Sequence, residues 1–259
     1  MRRSTILAVF AAIVPLLVAT NSGAAELRVA GGGNFQKAGK PLAEAFGRKT
    51  NSPVIYTPGN TGGTGMPQRL AAGEKMDVIV MPEGQVEGRE KAGLIKPGTA
   101  ISFARYRMGV GVRKGTPKPD ISTRDKFWAV LLAAKTVSIP EPDPAQNSGM
   151  HMRRILLDLG IYDEVMKKAI TLESRPVSAV IEGKADLSVS PLPELMEEEQ
   201  ADVVGPVPAE LGGYTTFAIA IVAGSQNDVA ARAFIQFVTS AEGVAVWREN
   251  GLEALPRAP

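Results

Sequence analysis

Short apolar runs that alternate with helix-spaced stretches constrain this chain more than any other feature. Leu27-Arg28-Val29-Ala30 reads as a strand running into Gly31-Gly32-Gly33-Asn34, and Phe35 to Lys49 then carries Leu42, Ala45 and Phe46 on one helical face. Val54-Ile55-Tyr56 is a second strand, stopped by Pro58-Gly59-Asn60. Thr64 to Ala72 reads as a helix, and Asp77 to Met81 as a strand buried on both faces. Strands that alternate with helices imply a parallel sheet covered by helices. Two longer strands stand apart, Tyr106 to Val112 and Tyr214 to Ala223, and the helical segments Ala230 to Thr239 and Glu242 to Asn250 close the chain. Pairing the long strands as a hinge divides the chain into one lobe of residues 26–104 plus 218–259 and a second of residues 105–217. A single doubly wound domain is the simpler alternative.

Composition excludes several classes. With 44% hydrophobic residues in 259, the chain can bury a core, so it is neither disordered nor collagen-like. It has no Cys, which removes disulfide scaffolds, thiolate-bound metals and thiol nucleophiles, and its one His removes sites built on several histidines. No metal and no cofactor are expected. At the N-terminus, Arg2 and Arg3 precede an apolar run from Ile6 to Val18 and the small pair Ala24-Ala25. That is the layout of a secretory signal peptide over residues 1–25, cleaved near Ala24-Ala25 for a periplasmic destination, and too short to span a membrane. Removing Arg2 and Arg3 with it brings the 29 basic residues level with the 27 acidic ones. Charge therefore gives no argument for nucleic acid or an anionic membrane as partner.

Several segments resemble the periplasmic molybdate-binding proteins. The closing stretch carries Thr216 to Val222, then Ala230 to Val238, then Ser240-Ala241-Glu242-Gly243 and Gly251-Leu252. Ala71-Ala72-Gly73 before Met76 to Val80, and Glu182-Gly183-Lys184-Ala185-Asp186, resemble that family's turns into lobe strands. The resemblance implies an α/β, two-lobed type II periplasmic binding protein fold with parallel-rich sheets and two hinge strands. It implies a monomer that encloses a small anion, an oxyanion or a small polycarboxylate, and hands it to the permease of an ABC importer.

Ligands of open α/β sheets gather beyond the carboxyl ends of strands, where helix N-termini present unpaired N–H groups and partial positive charge. Three stretches have that form. In Gly31 to Asn34, three glycines let main-chain amides approach a ligand at Gly33 and Asn34. In Asn60 to Gly65, Thr61, Gly62 and Thr64 supply more polar groups than a helix cap needs, and the Lys of a phosphate-binding loop is missing. In Pro144 to Gly149, Gln146, Asn147 and Ser148 lead into a helix from Met150 to Leu159. Arg175 and Ser190 border the cleft from the second lobe, each near a helix start or strand end. Ordinary turns and caps explain the first and third stretches equally well when taken alone, whereas the second has more small and polar residues than capping demands.

Against the family pattern, Gly33-Asn34 stands where molybdate-binding relatives carry a Ser, and Ser190-Pro191 where they place a Tyr. Each unpaired position around a dehydrated oxyanion costs ~1–3 kcal/mol, so the departures favour a roomier, amide-lined pocket suited to a small organic polyacid. A periplasmic aconitate isomerase resembles the same family. On that second reading an allylic proton shift between cis- and trans-aconitate uses His151 as base, with Arg105, Arg153 and Arg175 as carboxylate clamps and Asp143 as a weaker candidate.

Overall fold

The computed structural model describes residues 26–59, 65–143 and 147–255. The expected signal segment lies outside them. The first half contains β1 (Leu27–Gly31), α1 (Gln36–Thr50), β2 (Val54–Pro58), α2 (Gly65–Ala71), β3 (Val78–Pro82), α3 (Val86–Lys91) and β4 (Ile101–Arg113). Then come α4 (Arg124–Ala133), β5 (Val137–Pro140), α5 (Asn147–Asp158), α6 (Tyr162–Met166), β6 (Ala169–Leu172), α7 (Ser178–Ile181), β7 (Leu187–Pro191) and α8 (Leu192–Leu195). The chain closes with β8 (Ala201–Pro206), β9 (Tyr214–Ile221), α9 (Asp228–Thr239), α10 (Ala241–Glu249) and β10 (Glu253–Ala254).

The main strand order is β2-β1-β3-β9-β4-β7-β5-β6, with β8 and β10 joining β4 at its two ends. β1 pairs in parallel with β2 and β3, and β5 in parallel with β6 and β7. Between those parallel halves β4 and β9 run antiparallel, Tyr106 opposite Thr215 and Arg107 opposite Tyr214. This is the two-lobed α/β architecture with parallel-rich sheets joined by two long strands. β4 starts five residues before the expected Tyr106, because Ser102 and Arg105 interrupt the apolar run that marks it in sequence while its pairing with β9 begins at Ile101.

The two largest hydrophobic cores among the described residues flank the crossing strands. One gathers Leu27, Val29, Phe35, Leu42, Phe46, Phe217, Phe234 and Trp247. The other gathers Met108, Val110, Phe127, Leu131, Ile155, Leu156 and Val189. β4 feeds both: Phe103, Ala104 and Tyr106 belong to the first core, Met108, Val110 and Val112 to the second.

The packing at the end of β1 positions the first candidate loop. Phe35 is fully buried and makes edge contacts with Tyr56, Phe103 and Phe217 at 5.7–6.4 Å. Burying such a ring stabilises by about 2–3 kcal/mol, which anchors the short turn Gly33–Phe35 that leads into α1. The Tyr56 hydroxyl donates to the Gly31 carbonyl at 2.6 Å, and burial raises its pKa. Tyr56 can lie this close only because α1 presents Gly39, where a Cβ would stand 2.2 Å from the tyrosine ring.

Candidate functional site

Four strand ends meet at one cavity of about 370 Å³. After β1, Gly33, Asn34 and Gln36 form one wall. The opposing wall comes from Ser148 in the first turn of α5, from Glu173, Ser174 and Arg175 after β6, and from Pro191, Glu194 and Glu197 around α8. The elements that build it all follow the carboxyl ends of parallel strands, where main-chain N–H groups are unpaired.

Of the residues that sequence reading selects for ligand contact, Gly33, Asn34, Ser148 and Arg175 share this cavity. Asn147 is exposed as the first residue of α5 and is not part of the lining. Ser190 is fully buried, with its hydroxyl 3.0 Å from that of Ser188, and it is the following Pro191 that reaches the cavity. Thr61, Gly62, Thr64 and Gln146 lie outside the described residues.

The arginines separate by position. Arg175 lines the cavity with its backbone in the left-handed region (φ 51°), unusual for a side-chain-bearing residue. Its guanidinium bonds to Glu198 and remains largely exposed. Arg105 lies elsewhere, its guanidinium 3.7 Å from the Tyr214 ring centre and its Nε 3.8 Å from Glu253. Arg107 donates to the same Glu253 at 2.5 Å, tying β10 to the crossing strand. Arg153 is exposed, 5.7 Å from the Tyr162 ring centre.

His151 is half-buried on α5, off the cavity wall, with Nδ1 3.4 Å from the Thr215 hydroxyl. Burial, and then the neighbouring charge of Arg154, lower its pKa. The Thr215 hydroxyl is also bonded to Tyr106, whose hydroxyl is bonded in turn to Asn34. Burial raises the Tyr106 pKa against the pull of those two bonds. Asn34, Tyr106, Thr215 and His151 thus stand in succession from the cavity wall across both long strands to α5. Asp143 sits in the loop before α5 and is exposed.

Glu194 escapes a sequence reading. It stands half-buried in the first turn of α8, projects into the cavity and accepts the Arg175 backbone N–H. Burial pushes its carboxyl up to about 7, opposed by Arg175 and assisted by Glu197 and Glu198. An acid at the start of a helix is the ordinary response to the helix dipole, so Pro191-Leu192-Pro193-Glu194 carries no distinguishing signal. Among the described residues, no group of three His, Cys, Asp or Glu side chains is placed to hold a metal ion.

Known proteins share this fold. Residues 27–253 match the model of the family described as bacterial extracellular solute-binding protein. An aconitate isomerase from Pseudomonas sp. is 29% identical over 256 residues, 97% of this chain and 96% of that protein. Among solved structures, a substrate-binding domain assigned to a molybdenum ABC transporter from Clostridium difficile superposes with a TM-score of 0.74 at 17% identity, covering 89% of this chain and 99% of that one. The periplasmic molybdate-binding protein of Azotobacter vinelandii superposes with a TM-score of 0.71 at 21% identity, covering 89% and 100%. At those identities the structural likeness establishes the fold.

Proposed function

The chain belongs to the bacterial extracellular solute-binding protein family, and from that premise we propose that it is an exported binding protein enclosing a small organic anion between its lobes for delivery to an ABC importer. The observation that carries this reading is the convergence of Gly33, Asn34, Ser148 and Arg175, from three separate strand ends, on one cavity. Those positions offer amide, hydroxyl and guanidinium donors, and a guanidinium can take a carboxylate through two parallel hydrogen bonds. Closure would turn on the crossing strands near residues 104–107 and 215–218, driven by contacts that a ligand makes to both walls. The signal segment over residues 1–25 would send the protein, as a monomer, to the periplasm.

The lining favours a small polycarboxylate over a bare tetrahedral oxyanion. An oxyanion stripped of water needs donors on every side, whereas Glu173, Glu194 and Glu197 put carboxyl groups into the same wall. Thermal melts with molybdate, sulfate, citrate and trans-aconitate test the reading. A rise in melting temperature with citrate or trans-aconitate supports it, and a rise with molybdate alone overturns the assignment to organic acids.

A second reading, an aconitate isomerase on the same scaffold, is favoured by the relative at 29% identity and by Glu194, a proton-holding group in the cavity wall. An allylic proton shift needs a group that removes a proton from one carbon and returns it at another, at a pKa near the working pH. Glu194 stands where a bound acid would lie, whereas His151 is set back behind Thr215. Ultraviolet absorbance of trans-aconitate separates the readings: conversion that is lost in Glu194→Gln supports the isomerase, conversion lost only in His151→Ala returns the proton transfer to the histidine, and no conversion leaves the binding protein.

A further inference from the structure

Resting on the organic-anion reading, we propose that Glu194 meets the ligand as a neutral carboxylic acid, donating its proton to a ligand carboxylate, so that the cavity takes up a proton together with each di- or tricarboxylate it binds from neutral or alkaline solution. The placement of the charged groups requires it. Arg175 is the arginine of this lining, and its main-chain N–H already bonds to Glu194. A ligand carboxylate drawn to that guanidinium therefore comes to rest beside the Glu194 carboxyl. Two carboxyl groups brought together in a partly dry site do not both stay ionised; one holds a proton and the pair shares it as a hydrogen bond.

The surroundings offer little to neutralise a second negative charge. Glu173 lines the cavity from the loop after β6, and Glu197 from the turn after α8. Glu198 faces the same spot while bonded to the Arg175 guanidinium. Tyr106 approaches from β4 with its proton retained by burial. Lys37, from α1, spends its ammonium on the Met196 carbonyl at 2.8 Å. The left-handed backbone of Arg175 is a conformation that a residue with a side chain holds only where its neighbours enforce it. Burial has raised the Glu194 carboxyl to about 7 before any ligand arrives, and a ligand carboxylate raises it further.

Isothermal titration calorimetry with citrate and trans-aconitate, between pH 6.5 and 8.5, tests this on the wild-type protein and on Glu194→Gln. With a group titrating at about 7 in the free protein, Kd rises roughly 25-fold over that range beyond the ligand's own titration. In Glu194→Gln, where an amide donates at every pH, that excess disappears. Titrations of the wild type at pH 7.5 in two buffers of different ionisation enthalpy should register uptake of most of one proton, a readout that stands even if the variant does not fold. Parallel pH profiles for the two proteins, or no proton uptake by the wild type, overturn the proposal while leaving the anion reading intact. No heat with citrate, trans-aconitate or molybdate at any pH overturns the anion reading and this proposal with it.

Discussion

Two carboxylates, Asp77 at the amino ends of the first lobe's strands and Glu194 on the second lobe's wall of the candidate cavity, differ in how far the protein itself satisfies them. At the amino ends of β1 and β3 lies a pocket of about 560 Å³, larger than the cavity at the carboxyl ends. Its wall includes Asp77, only 7% exposed, which accepts the Arg28 backbone N–H at 2.9 Å, the Ser225 hydroxyl at 2.7 Å and the Asn227 amide at 3.1 Å. Those three bonds join the start of β1, the entry to β3 and the end of β9. Glu194, in the smaller cavity, has one main-chain donor, Arg175 and two negative neighbours around it, and burial raises its carboxyl to about 7. On the proposed reading, bonding capacity left unfilled, rather than volume, marks the cavity that takes the ligand.

The contrast breaks most visibly at Asp77. Asp77→Ala leaves three donors without an acceptor and should cost about 3–5 kcal/mol, a loss of about 10 °C in melting temperature for a chain of this size, while Kd for citrate changes less than about twofold. Urea unfolding beside calorimetry checks both halves, and lost binding with stability intact would reverse the assignment of the two pockets. Arg175→Ala is the mirror case. Its guanidinium is largely exposed and its pairing with Glu198 adds little to folding, so the melting temperature should hold within about 2 °C while anion Kd rises about 10- to 100-fold.

Glu194→Gln sharpens the comparison through pH. The folded-state pKa of Glu194, about 7, lies above its ordinary 4.5, so folding retains a proton there. The stabilisation from that proton is complete below pH 4.5 and is lost as pH rises through 7. The variant has nothing to lose, and urea titrations should find it more stable than wild type by about 3 kcal/mol at pH 8 and equal to it at pH 4. The smallest effect is expected of His151→Ala, which sits behind Thr215 and off the wall. Citrate Kd should shift by less than about threefold by calorimetry, and a shift beyond tenfold would put the succession Asn34, Tyr106, Thr215 and His151 into ligand binding.

Period-two and period-3.6 patterns carried the fold because apolar burial writes them directly into the sequence. Leu42, Ala45 and Phe46 share the buried face of α1, and Val78 to Met81 are buried on both faces as the continuous run suggests. The glycine-rich turn at Gly33-Asn34 was legible as a close backbone approach. The arginines were harder. Alternation along β4 puts Arg105 and Arg107 on the face opposite Tyr106, yet only the packed structure tells which face meets the cavity and which meets Tyr214 and Glu253. Ser190 read as a strand-end donor, but the same alternation turns it inward against Ser188. The Glu194–Arg175 contact and the Tyr106–Thr215 link join segments 19 and 109 residues apart, and no local pattern records a contact of that kind.

A crystal structure grown with trans-aconitate or citrate tests the central claim most directly. The account predicts the acid in the cavity between Gly33-Asn34 and Ser148, one carboxylate on the Arg175 guanidinium and within hydrogen-bond distance of Glu194. An acid seated instead beside Asp77, with the cavity around Arg175 holding only water, would contradict it.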